Sequence, residues 1–126
     1  MSGNILIVDD SATLRASVKF SLSGAGYGVE EAVNGKDALQ KLQSLQSSGN
    51  QVSLIITDIN MPEMDGITFV REVKKIASLR FIPILILTTE SQDSKKMEGK
   101  EAGAAGWLVK PFNSDQLIGV VKKFVR

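Results

Sequence analysis

Apolar residues in this chain fall into short continuous runs, separated by segments in which they recur every three or four positions. The runs Ile5-Leu6-Ile7-Val8, Leu54-Ile55-Ile56, Ile82-Pro83-Ile84-Leu85-Ile86-Leu87 and Trp107-Leu108-Val109 have the length and continuity of strands buried on both faces. Pro83 is tolerable only at the start of its run, because it has no N–H to give to a ladder. Tyr27 to Val33 is poorer in apolar residues and carries Glu30-Glu31, which predicts an exposed edge strand. The periodic segments predict helices. The first starts near Ala12 with Leu14, Val18 and Leu22 on one stripe and stops at Gly24-Ala25-Gly26. Ala38, Leu42 and Leu45 mark the second, before the loop Ser47-Ser48-Gly49-Asn50. A third, from Asp65-Gly66 to near Ala77, turns Ile67, Val70 and Val73 inward. The fourth, about Gln92 to Ala102, has Met97 as its one large apolar residue and should be loosely held. Leu117, Val120, Val121 and Phe124 define the last.

Strands alternating with helices in this way predict an α/β fold: a doubly wound, five-stranded parallel sheet covered on both faces, with right-handed crossovers. Two strong strands flanking a weak second one suit the flavodoxin-like order 2-1-3-4-5, whose switch point lies between strands one and three. Asp9 and Asp10 follow the first strand and Asp58 follows the third, so all three carboxylates should meet at that crevice. Thr88 and Lys110 arrive from the ends of strands four and five.

Composition narrows the chemistry. The 126 residues, 43% of them hydrophobic, fit one domain spanning 1–126, with no output domain expected. Fifteen basic and fourteen acidic residues give a net charge of +1, so neither nucleic acid nor an anionic membrane is an expected partner. Cysteine and histidine are absent, which excludes disulfides, thiolate or imidazole metal sites and histidine bases. No run approaches the roughly 20 apolar residues of a membrane-spanning helix, and a cytoplasmic location is expected.

Carboxylates, hydroxyls and lysine remain as the reactive groups. Three carboxylates in one crevice require a compensating charge, and a hard divalent cation such as Mg²⁺, which takes one or two carboxylates together with phosphate oxygens, suits Asp10 and Asp58. With such a cation and the Lys110 ammonium to neutralise the transferring group, an Asp58 oxygen can attack a phosphoryl group in line. Thr88 can donate to a phosphoryl oxygen, and Asn60 can offer its backbone carbonyl to the metal. Singly these residues have ordinary readings as caps, turn hydroxyls and solvated charges. Their joint placement at successive strand mouths favours chemistry. For Trp107, packing and switching both stand.

Asp9-Asp10, Asp58 with Asn60-Met61-Pro62 and Asp65-Gly66, Thr88-Thr89-Glu90, and Lys110-Pro111-Phe112 together resemble the receiver-domain family of response regulators, along essentially the whole chain. The stand-alone chemotaxis regulators are the nearest branch. That resemblance implies Asp58 as phosphoacceptor, Asp9, Asp10, Asp58 and the Asn60 carbonyl as Mg²⁺ ligands, Thr88 and Trp107 as switch residues, and Lys110 as phosphoryl binder. It implies a cis bond before Pro111, with Thr89 and Glu90 tuning rates. The implied partners are a chemotaxis-type histidine kinase, the flagellar motor switch or another protein target, and a phosphatase; the protein itself should be a monomer that modifies only itself. Thr89 and Trp107 depart from the small residue and the Tyr or Phe usual in the family. A phosphorelay intermediate or an adaptor outside chemotaxis is the alternative. An aspartyl-phosphate hydrolase of the haloacid-dehalogenase type would need a carboxylate where Asn60 stands, and in a flavodoxin-like carrier Asp9-Asp10 would repel the flavin phosphate.

Overall fold

The computed structural model describes residues 4–89 and 93–125, and at positions 93 and 94 the backbone alone. Glu90 and Gln92 lie outside what is described. The elements alternate: β1 (Asn4–Val8), α1 (Ala12–Gly24), β2 (Gly28–Ala32), α2 (Gly35–Ser47), β3 (Val52–Thr57), α3 (Gly66–Lys75), β4 (Ile84–Thr88), α4 (Asp93–Ala102), β5 (Gly106–Val109) and α5 (Ser114–Val121). All strand pairings are parallel and the sheet order is β2-β1-β3-β4-β5. The expected doubly wound α/β topology is therefore the observed one.

Side chains alternate across the sheet, so it makes two cores. Leu6, Val8, Ile55, Ile84 and Ile86 pack with Leu42, Phe69, Val70 and Val73 of α2 and α3, and Ala102 of α4 joins them. Ile5, Ile7, Leu54, Ile56, Leu85 and Leu87 pack with Val18 and Leu22 of α1 and Leu117 and Val121 of α5. Burying each such side chain contributes about 1.5–3 kcal/mol, and the central strands β1, β3 and β4 hold most of them.

Boundaries differ from the sequence expectation where local chemistry outweighs periodicity. β4 begins at Ile84, with Pro83 just outside it and its carbonyl accepting from Ile55 N–H at 3.0 Å. α3 ends at Lys75, because Ile76 is extended and starts the turn to β4. α5 is regular only to Val121, although Phe124 and Val125 still pack on the core. Met97 points away from the sheet, 60% exposed, and α4 instead presents Gly99 and Ala102 to the interior. That helix is held by small residues.

One glycine fixes how β3 meets α3. Gly66 N–H donates to Ile59 O at 2.8 Å, and a Cβ on Gly66 would lie 2.0 Å from the Asp58 carbonyl oxygen. Both contacts involve main chain, which cannot swing aside as a side chain would. Gly66→Ala should gain less than about 1 kcal/mol of helix propensity and lose at least about 3 kcal/mol to the clash. Urea unfolding checks the sign: a midpoint equal to or above wild type would mean that the loop after Asp58 is not pinned here.

Candidate functional site

Parallel pairing sets the site. β1 and β3 are neighbours in register, Val8 opposite Thr57, so the residues that follow them leave the sheet side by side. Asp9 N–H donates to Ala32 O and Asp58 N–H to Val8 O, both at 3.1 Å, and these bonds extend the ladders just past the strand ends. Asp9, Asp10 and Asp58 each place a carboxylate oxygen within 4.8 Å of the other two. Lys110 enters from the end of β5, with its N–H donating to Thr88 O at 2.8 Å, and its Nζ lies 3.5 Å from Asp58 Oδ2 and 3.7 Å from Asp9 Oδ2. The Lys110-Pro111 peptide is cis.

Each carboxylate is held differently. Asp9 is 3% exposed; its Oδ1 accepts from Ser11 N–H at 2.8 Å, and its carbonyl accepts from Arg15 Nη1 at 2.6 Å. Arg15 is itself fixed by Glu31, Nε to Oε1 at 3.2 Å, so α1 and β2 clamp the acidic turn from both sides. Asp58 accepts from Ile59 N–H at Oδ1, 2.8 Å, which leaves Oδ2 toward Lys110. Asp10 is exposed. Charge within the cluster is poorly balanced. At an effective dielectric of about 20, each carboxylate pair repels by roughly 3 kcal/mol or more, while the Lys110 contacts to Asp9 and Asp58 attract by roughly 4–5 kcal/mol each. Attraction and repulsion nearly cancel, which leaves burial to decide the charge state of Asp9. Burial accordingly raises the Asp9 pKa above the usual carboxylate value; Asp58 and Asp10 push it the same way, and the Ser11 N–H and Lys110 oppose them.

The donor set fits a hard dication: oxygen atoms only, with the Asp10 carboxylate exposed, Asp58 half-buried and Asp9 buried. Among the other residues singled out from sequence, Thr88 is buried at the end of β4, beside the cluster's lysine. Asn60 is exposed in the turn after β3, and Thr89 is exposed. Trp107 is not at the carboxylates. Its indole packs against the core beneath α4, three residues before Lys110. Arg15 and the Gly66 approach escaped the sequence reading, since an arginine on an amphipathic helix and a glycine at a helix start look ordinary. The capping box Asn113/Gln116, which starts α5 directly after Phe112, had a readable signal in its spacing.

This arrangement of fold and acidic edge is that of a signalling receiver, and the chain belongs to the response regulator receiver domain family, which matches residues 5–122. Among solved structures it is similar to chemotaxis protein CheY4 of Vibrio cholerae, with 44% identity, TM-score 0.90 and coverage of 98% of this chain and 99% of that one. It is 38% identical to chemotaxis protein CheY1 of Helicobacter pylori, over 90% of this chain and 89% of the relative. It is also 33% identical, over 97% of its own length, to the sensor histidine kinase CheAY of Helicobacter pylori, of which it spans 15%.

The raised Asp9 pKa has a definite sign in stability. A carboxyl whose pKa is higher folded than unfolded contributes its stability below the unfolded value, and that contribution is lost as pH rises through the folded value. Without divalent ions, the protein should therefore lose stability as pH rises from about 4 through the folded Asp9 pKa. Asp9→Asn keeps an acceptor for Ser11 N–H and removes the charge, so its Tm at neutral pH should rise by about 2–5 °C. Differential scanning calorimetry in EDTA decides it: a lower Tm for Asp9→Asn would show that the ion pair with Lys110 outweighs burial and repulsion.

Proposed function

We propose that this protein is a single-domain response regulator that accepts a phosphoryl group on Asp58, from the phosphohistidine of a chemotaxis-type histidine kinase. The observation that carries the reading is the geometry at Asp58: one oxygen is tied to Ile59 N–H and the other faces a lysine ammonium in a crevice otherwise lined by carboxylates. Asp58 Oδ2 attacks phosphorus, the P–N bond to the donor imidazole breaks, and the bonding pair returns to the nitrogen. The product is an acyl phosphate. Lys110, 3.5 Å from Oδ2 before reaction, pairs with the added phosphoryl charge. Asp9, Asp10, Asp58 and the Asn60 carbonyl would hold Mg²⁺, which when bound neutralises charge on the phosphoryl oxygens. Thr88, at the mouth of β4, donates to the phosphoryl group, while Thr89 and Glu90, the next two residues of the sequence, tune its rates. The modified protein acts by a change of the α4-β5-α5 face that alters binding to a protein target, with the flagellar motor switch favoured by likeness to CheY1 and CheY4. A dedicated phosphatase would end the signal. No described helix is long and apolar enough to cross a membrane. On this reading the protein works as a cytoplasmic monomer between kinase and target.

Likeness to CheAY favours a second reading, a receiver that takes phosphoryl away from a kinase without a motor target. Co-precipitation with the flagellar switch protein after phosphorylation separates the two, and retention is expected for the first.

Acetyl phosphate with Mg²⁺ should add one phosphoryl group, 80 Da by intact mass, that is lost in hydroxylamine as an acyl phosphate is. Asp58→Asn removes the nucleophilic oxygen and should reduce this adduct to background. A hydroxylamine-labile adduct of undiminished yield in that variant would place the acceptor elsewhere.

A further inference from the structure

Gly99 sits inside α4, where a glycine weakens the helix relative to alanine, and its surroundings give a reason for it. A Cβ there would lie 3.0 Å from Ile86 Cδ1 and 3.0 Å from Trp107 Cζ3, with Cε3 of the same ring at 3.4 Å. Ile86 and Trp107 are opposite each other in the β4–β5 register, so the six-membered ring of the indole lies on the sheet directly below the missing side chain. Ile86 meets the added atom with one terminal methyl, which can shift by the few tenths of an ångström needed, whereas Trp107, half-buried on the edge strand, meets it with two atoms of a rigid ring. The ring's position is also incomplete in one respect. Trp107 Nε1 is buried and has no hydrogen-bond partner among the described residues, an arrangement that opposes the tucked ring while apolar burial favours it.

We infer that Gly99 is the positioning residue for the Trp107 indole: the absent side chain on α4 is the notch that receives the ring, and filling it turns the ring outward. The ring is thereby poised between a tucked packing, favoured by burial, and an outward one in which its N–H meets water. Gly99 sets the balance between them. On the receiver reading, to which this adds a residue, that balance decides how much of the α4-β5 face is already switched before phosphorylation.

Trp107 is the chain's one tryptophan, so its fluorescence reports the ring without labels. Gly99→Ala should red-shift the emission and raise iodide quenching in the unphosphorylated protein, and should shrink the further change produced by Mg²⁺ with beryllofluoride. Emission and quenching equal to wild type would overturn the proposal. A stability comparison tests the same contact without the indole. In a Trp107→Phe background the smaller ring does not reach the notch, so Gly99→Ala should raise the urea midpoint as expected for a better helix former, and in wild type it should raise it less or lower it. Equal increases in both backgrounds would refute the contact. If beryllofluoride leaves wild-type emission unchanged while Gly99→Ala moves it, the notch stands and phosphoryl-driven switching of the ring falls.

Discussion

The Lys110 ammonium, reaching between Asp9 and Asp58, is the contact on which the rest of the carboxyl edge depends. Without it, three carboxylates within 4.8 Å of one another would face each other with no cation among the contacts described. With it, the cluster is still short of positive charge, because one ammonium cannot neutralise three carboxylates. The structure spends its other polar groups on holding the cluster in this state: Ser11 N–H on Asp9, Ile59 N–H on Asp58, and the Arg15 guanidinium on the Asp9 carbonyl. None of these brings a full positive charge to the open side of the crevice. A site so built suits a dication, which would add the positive charge that the fixed residues lack.

The two halves of the lysine's setting come from different parts of the fold. Parallel pairing of β1 with β3 delivers the carboxylates, and pairing of β4 with β5 delivers Thr88 and Lys110. Asp58 thus meets, through Lys110, the strand that carries Trp107 three residues before the lysine. α4 lies over that strand with little to hold it, since its buried residues among those described are a glycine and an alanine. The helix nearest the Trp107 ring is thus also the one whose described buried residues carry the least apolar side chain.

Much of this was legible in the sequence, for reasons visible in particular residues. The runs at Ile5, Leu54 and Ile84 could be read because strands buried on both faces have no polar positions to blur them, while the run at Trp107 stayed apolar although β5 is a half-buried edge strand. The sheet order followed from the weakness of Gly28–Ala32, an edge strand carrying Glu30 and Glu31. Once the order is fixed, the coincidence of Asp9, Asp10, Asp58 and Lys110 follows from topology. What stayed hidden was of another kind. The Gly66 contact is main chain against main chain across a loop, Arg15 acts through a backbone carbonyl, and the fit of Trp107 under Gly99 joins residues on two elements whose relative height no periodicity encodes. Met97, the only large apolar residue of α4, faces solvent because the strand below already fills the interior with its own indole.

The crevice is short of positive charge, and Lys110 supplies only part of what it needs. Calorimetric titration with Mg²⁺, in wild type and in Lys110→Ala, tests this most directly. Removal of the ammonium takes away a cation that repels the dication and leaves every carboxylate in place, so Lys110→Ala should bind Mg²⁺ several-fold more tightly than wild type. Unchanged or weaker Mg²⁺ binding in that variant would contradict the charge balance described for this site.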